Sequence, residues 1–91
     1  MTKIGRHCYV TGKVQHVFYR QNTKQQALLR NLTGWVKNLP DGRVETVIFG
    51  EEDQVLNMLE WLATGPARAV VTNLEVNDIS VEPYTNFNIE K

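Results

Sequence analysis

Two kinds of hydrophobic periodicity succeed one another along this chain, and their order constrains the fold more than any other feature. A period of two, typical of a strand with one buried face, runs from Cys8 to Val14. Apolar residues spaced by three and four, typical of an amphipathic helix, run from Val55 to Leu62. A chain that combines both patterns is expected to pack helices against a sheet.

The first helix is predicted between these two segments, over Gln21–Asn31. This stretch contains neither Gly nor Pro and is rich in helix-forming residues. We expect Ala27, Leu28 and Leu32 to share its buried face, and Gly34 to mark the point where the helix stops.

A hairpin and a second helix follow. The turn Pro40-Asp41-Gly42 separates Trp35–Leu39 from Val44–Phe49, and Asp-Gly supplies the positive φ that such a turn needs. The helix is predicted over Glu51–Ala63, and Gly65-Pro66 ends it.

The last third alternates roughly from Val70 to Val81, breaks at Pro83 and continues at Phe87–Ile89. We interpret it as a fourth strand and a terminal edge strand. The order βαββαβ is that of a ferredoxin-like α+β sandwich, a mainly antiparallel sheet with two helices on one face.

Size and charge restrict the class of protein. The chain has 91 residues, enough for one domain over residues 1–91. Ten basic residues balance ten acidic ones, so no long-range field would attract nucleic acid or an anionic membrane. RNA-recognition modules share the predicted fold, but they carry a basic surface and a glycine-aromatic motif, unlike the strand Val44–Phe49. A small anionic ligand fits this composition better than a polymer does.

No apolar run approaches the roughly 20 residues that a membrane span needs, and the N-terminal residues lack the apolar stretch of a secretion signal. We therefore expect no membrane partner and a cytoplasmic location.

The single cysteine, Cys8, cannot form an internal disulfide. His7-Cys8 matches the first two residues of the cysteine-phosphatase loop, H-C-x5-R, but Val14 occupies the place of the arginine. We therefore expect Cys8 to be a small buried side chain. His7, Cys8 and His16 do not have the spacing of a structural zinc site, so no metal is predicted.

The run Gly12–Arg20 is predicted to be a strand that ends in a short loop and delivers Arg20 to the start of a helix. The first N–H groups of a helix lack intrahelical partners and lie at the positive end of its dipole, so an arginine there completes an anion pocket. Judged alone, an arginine at the position of Arg20 is more often a solvated side chain, and Asn38 is better explained as a residue beside a turn. Both residues, however, stand within motifs that match the signature of one protein family, and this changes the interpretation.

These segments resemble the acylphosphatase family, whose signature is G-x-V-Q-G-V-x-F-R, then G-(aromatic)-V-x-N and D-G-x-V-E. The resemblance extends from Gly12–Arg20 through Gly34–Glu45 and Trp61–Val70 to the closing Tyr84–Ile89, which is nearly the whole chain.

The resemblance implies hydrolysis of acyl phosphates to a carboxylate and inorganic phosphate, by a monomer that needs neither metal nor other cofactor. Arg20 would bind the phosphoryl group and Asn38 would hold the water. The backbone N–H groups of the loop would bind the phosphate; the loop comprises Gln15, His16, Val17, Phe18, Tyr19 and Arg20. The side chain of Gln15 is expected to shape this loop by bonding to its backbone.

Two positions depart from the family pattern. His16 stands where the family has glycine, and Tyr19 where it usually has phenylalanine. If the loop needs a positive φ at His16, the Cβ adds a cost of roughly 1 kcal/mol or more. We expect impaired but detectable activity, and the alternative is a non-catalytic anion-binding domain of the same fold. The hydroxyl of Tyr19 requires only a hydrogen-bond partner or water.

Overall fold

The computed structural model describes residues 2–90, which form two helices and a five-stranded sheet. In chain order the elements are β1 (Lys3–Lys13), α1 (Tyr19–Leu29), β2 (Thr33–Asn38), β3 (Val44–Glu51), α2 (Glu52–Thr64), β4 (Val70–Ile79) and β5 (Phe87–Glu90). Their order confirms the prediction, including the terminal strand β5. Neither of the described helices is long and apolar enough to cross a membrane.

The strands lie in the order β4-β1-β3-β2-β5. All neighbouring pairs are antiparallel except β2 and β5, which run parallel. The predicted ferredoxin-like α+β fold with a mainly antiparallel sheet is therefore confirmed. The parallel pairing sets Glu90 opposite Lys37, one residue before the end of β2.

One hydrophobic core lies between the helices and the sheet. α1 contacts β2 and β5, α2 contacts β1, β3 and β4, and the two helices touch each other. The core residues with no exposed surface include Cys8, Val10, Ala27, Val36, Ile48, Val55, Met58 and Leu62. Burial raises the pKa of the Cys8 thiol to about 12, so this cysteine is the small, buried, neutral side chain that was predicted.

The first helix differs from its prediction in position and in its buried face. It begins at Tyr19 and ends at Leu29, and its buried residues are Tyr19, Thr23 and Ala27. Leu28 lies outside this stripe and is exposed, so its assignment to the core was wrong. The spacing of i, i+4 and i+8 starts in the predicted loop. The pattern from residue 21 onward therefore placed Ala27 and Leu32 correctly on the buried side but wrongly added Leu28.

The stop of α1 also lies elsewhere than predicted. Asn31 has φ 57°, and the next N–H, that of Leu32, donates to the carbonyl of Ala27 at 2.9 Å. Asparagine tolerates this left-handed conformation and ends the helix in place of a glycine. Gly34 instead lies inside β2.

Trp35 lies outside the core. Its neighbours Gly34 and Val36 face the helices, so Trp35 lies on the opposite, open face of the sheet, where Lys37 Nζ is 5.4 Å from its ring centroid.

Gly34 allows β2 and β3 to approach each other closely. Its φ is +135°, and a Cβ at this position would lie 1.9 Å from the carbonyl oxygen of Val47. Its N–H donates to the carbonyl of Asn86 at 3.0 Å, which ties the chain entering β5 to β2. The glycine therefore holds three neighbouring segments at their observed spacing.

We predict that Gly34→Ala destabilises the protein far more than Gly42→Ala. Gly42 also has a positive φ, +97°, but nothing lies within 4 Å of a Cβ added there. The control should cost roughly 1 kcal/mol for its backbone conformation, and Gly34→Ala roughly 1–3 kcal/mol more for the clash with Val47. Urea denaturation of both variants measures the difference; equal losses would contradict the close approach.

Candidate active site

The candidate site is built where β1 turns into α1. β1 ends at Lys13, and α1 begins at Tyr19 with Phe18 as its N-cap. Two residues of this turn are left-handed, His16 and Phe18, each with φ 62°. No side chain caps the start of α1, and its first turn holds no acidic residue. The unpaired N–H groups of a helix start are therefore left for a ligand.

Tyr19 anchors this turn in the core. Its ring is 1% exposed, and its hydroxyl donates to the carbonyl of Leu62 at 2.6 Å. Burial raises the pKa of the phenol, so Tyr19 stays a neutral donor. The ring lies against Gly65, where an added Cβ would be 2.8 Å from it, and 5.6 Å from Trp61 between ring centroids. The end of α2 therefore supports the loop, and the predicted need for a hydroxyl partner is met.

Arg20 lies in the first turn of α1, not in the loop before it. Its Nη1 donates to the carbonyl of Glu90 in β5 at 3.2 Å. The remaining guanidinium N–H groups have room to bind a ligand, since Arg20 lines a cavity beside this turn.

Asn38 is the last residue of β2 and lines the same cavity. Its Oδ1 is buried and has no hydrogen-bond partner in residues 2–90. An unpaired buried carbonyl oxygen costs roughly 1–3 kcal/mol of stability, so fold stability does not explain why an asparagine occupies this position. Rotation about χ2, a broad torsion in asparagine, would turn the oxygen toward the cavity and toward a donor there.

Gln15 joins the two halves of the site. Its Nε2 donates to the carbonyls of Leu39 at 2.8 Å and Arg43 at 2.9 Å, which flank the hairpin turn after Asn38. The prediction that Gln15 bonds to the backbone of its own loop was therefore wrong. The Gln15 side chain thus links two parts of the site: the hairpin next to Asn38 and the loop that precedes Arg20.

A cavity of about 330 Å³ lies between these elements. Of the predicted site residues, it brings together His16, Phe18, Tyr19, Arg20 and Asn38. It does not include Gln15, which faces the hairpin, or Val17, whose side chain is buried in the core. Sequence reasoning did not assign Val14, Gln21 and Ile89, which also line the cavity. Ile89 reaches the cavity through the parallel pairing of β2 with β5, and no local sequence pattern predicts that pairing.

Among residues 2–90, no carboxylate lines the cavity, and Arg20 is the one permanently charged residue that does. An uncapped helix start beside a guanidinium favours an anion. In the described part of the chain, no three His, Cys, Asp or Glu side chains lie close enough together to hold a metal ion.

These features define a ferredoxin-like domain with a cradle for a small anion, and comparison with known proteins gives the family. The acylphosphatase family model matches residues 6–89. An acylphosphatase of Coxiella burnetii is 46% identical over 83 residues, covering 91% of this chain and 87% of the relative. One from Pseudomonas paraeruginosa is 43% identical over the full length of both chains. The crystal structure of acylphosphatase from Bacillus subtilis is 34% identical with a TM-score of 0.94, covering 97% and 99% of the two chains.

The chain belongs to the acylphosphatase family. The resemblance stated from its motifs is confirmed, and the family and its relatives support the assignment as an acyl-phosphate hydrolase.

We predict that Tyr19→Phe keeps the fold and lowers its stability by roughly 1–2 kcal/mol, because the buried Leu62 carbonyl loses its donor. Tyr84→Phe is the matched control, since that ring is 38% exposed, and should change stability by less than about 0.5 kcal/mol. Chemical denaturation compares the two. A loss in Tyr19→Phe no larger than in the control would show that the hydroxyl does not anchor the turn.

Proposed function

We propose that this protein hydrolyses acyl phosphates with Arg20 and Asn38 as its catalytic pair. The observation that supports this is their position on the walls of one cavity, beside the uncapped start of α1. We further infer that a single chain is sufficient for activity, because Arg20, Asn38 and the uncapped helix start lie together within it.

The phosphoryl group would bind where positive charge and N–H groups converge. The planar guanidinium of Arg20 offers a fork of donors that matches two phosphoryl oxygens, and lysine cannot reproduce this geometry. The N–H groups of the first turn of α1, Tyr19 to Gln21, are free for a third oxygen. Because the charge of the loose transition state spreads over these equatorial oxygens, the same contacts stabilise it.

Asn38 would orient the attacking water. Once rotation about χ2 turns it toward the cavity, its unpaired Oδ1 can accept a hydrogen bond from a water there. An amide is too weak a base to remove the proton, so we infer that a phosphoryl oxygen of the substrate receives it. The new P–O bond forms as the bond from phosphorus to the acyl oxygen breaks. The products are a carboxylate and inorganic phosphate.

The leaving group makes this chemistry sufficient. A carboxylate is a stable anion at neutral pH, so its departure needs no general acid. Positioning and charge stabilisation can supply the remaining acceleration.

We predict that Arg20→Ala lowers kcat/KM for benzoyl phosphate by roughly 10³-fold or more, and that Arg20→Lys recovers little of it. Asn38→Ala should cost roughly 10²-fold, since the phosphoryl cradle remains. The assay is run with EDTA present, and activity should persist.

The matched controls are Arg68→Ala and Asn73→Ala, which remove the same side chains from exposed positions outside the cavity. Both should retain parental kcat/KM. If either catalytic variant matched its control, its assigned role would be refuted.

A second candidate function, anion binding without turnover, is favoured by His16. This residue adopts φ 62° in the cradle, a conformation that costs a residue with a Cβ roughly 1–2 kcal/mol. Its side chain also lines the cavity. If His16 distorts the cradle enough, the site would bind phosphate and not hydrolyse the substrate.

We therefore predict detectable turnover in the parent and a higher kcat in His16→Gly. Asn31→Gly is the matched control, because Asn31 has φ 57° but lies outside the cavity; its turnover should not change. Saturable phosphate binding without turnover in the parent, with turnover restored in His16→Gly, would favour the non-catalytic domain. Turnover without any gain from His16→Gly would mean that His16 does not limit the loop.

A further inference from the structure

The cavity is larger than an anion needs, and its lining is divided by polarity. At about 330 Å³ it falls within the range of sites that enclose small organic ligands, roughly 300–1,000 Å³. Phe18 and Ile89 supply apolar surface to its wall. The polar part comes from Arg20, Asn38, Gln21 and His16.

Phe18 is poorly explained by packing. Its side chain is 61% exposed although it is a large aromatic residue, and its φ of 62° is unfavourable for any residue with a Cβ. This conformation directs the ring away from the core that takes its neighbours Val17 and Tyr19, which are 6% and 1% exposed. Ile89, on the edge strand β5, is 38% exposed beside the same cavity.

We infer that Phe18 and Ile89 bind the acyl group and make the enzyme selective for apolar, aromatic or branched acyl phosphates. This inference rests on the proposed function. With the phosphoryl group held by Arg20 and the start of α1, the acyl group occupies the remainder of the cavity. An aromatic ring and a branched aliphatic side chain favour apolar groups there. Among residues 2–90, Arg20 is the one Lys or Arg in the lining, so they offer no second permanent cation to an acyl group that carries a carboxylate.

The energetics give the size of the effect. Apolar contacts in a specificity pocket discriminate between substrates by roughly 10–200-fold for a small difference in apolar surface. Because Phe18 and Ile89 remain partly open to solvent, we expect the lower end of this range. The contacts act on the acyl group alone, so they should change the preference between substrates that share the phosphoryl group.

The test measures kcat/KM for benzoyl phosphate and acetyl phosphate in the parent, in Phe18→Ala and in Ile89→Ala. We expect the ratio of the two values, benzoyl over acetyl, to fall by roughly tenfold in Phe18→Ala and by severalfold in Ile89→Ala. Phe18→Leu, which keeps apolar surface, should restore part of the ratio. Phe18→Ala retains a Cβ and with it the left-handed cost. The ratio within one variant cancels its folded fraction, and comparing the ratios of two variants cancels the intrinsic reactivity of the substrates.

Leu29→Ala is the matched control, because Leu29 is 76% exposed on the same helix but does not line the cavity. It should leave the ratio unchanged. Hydrolysis of both substrates with the same ratio in Phe18→Ala as in the parent would overturn the acyl-group assignment and leave the proposed function standing. Hydrolysis of neither substrate by the parent would overturn the proposed function itself.

Discussion

The turn from β1 into α1 is the constraint on which the site depends. Within a few residues the chain leaves a strand, passes through left-handed conformations at His16 and Phe18, and starts a helix with no capping side chain. Such a turn would fray without support. The buried hydroxyl of Tyr19, bonded to Leu62 at 2.6 Å, supplies that support from the core side. The strain of the loop is thus offset elsewhere in the fold, a pattern common at functional sites.

Two hydrogen-bond connections then bring distant parts of the chain to this turn. Gln15 donates to the backbone on both sides of the hairpin that follows Asn38. Arg20 donates to the carbonyl of Glu90, at the end of the strand that also carries Ile89. Neither hydrogen bond is itself a step of the reaction, although Arg20 is also the proposed phosphoryl ligand. Each holds a wall of the cavity at a fixed distance from the helix start, so the loop, the hairpin and the edge strand form one site.

Much of this architecture could be predicted from the sequence, because it depends on local signals. Local sequence alone is enough to recognise the periodicity of α2, the Asp-Gly turn and the alternation of β1. The start of α1 was placed two residues late, because its first buried residue, Tyr19, lies within the segment that the motif identified as loop. The helix stop was assigned to Gly34, since glycine is the commoner residue there, whereas Asn31 fills that role.

The site was predictable only in part, for a related reason. The motifs pointed to Arg20 and Asn38, which line one cavity. The partners of Gln15 were missed because they lie on a hairpin more than twenty residues away, and Ile89 was missed because only the parallel pairing of β2 with β5 brings it there. The position of Trp35 on the open face followed from the register of β2, which composition does not reveal.

The central claim is that the cradle holds the phosphoryl group and directs water to phosphorus. Hydrolysis of benzoyl phosphate in water enriched in ¹⁸O, followed by mass spectrometry of both products, tests it most directly. Attack at phosphorus predicts the label in inorganic phosphate and none in benzoate. Label in benzoate would mean that water attacks the carbonyl carbon, and would contradict the roles assigned to Arg20 and Asn38.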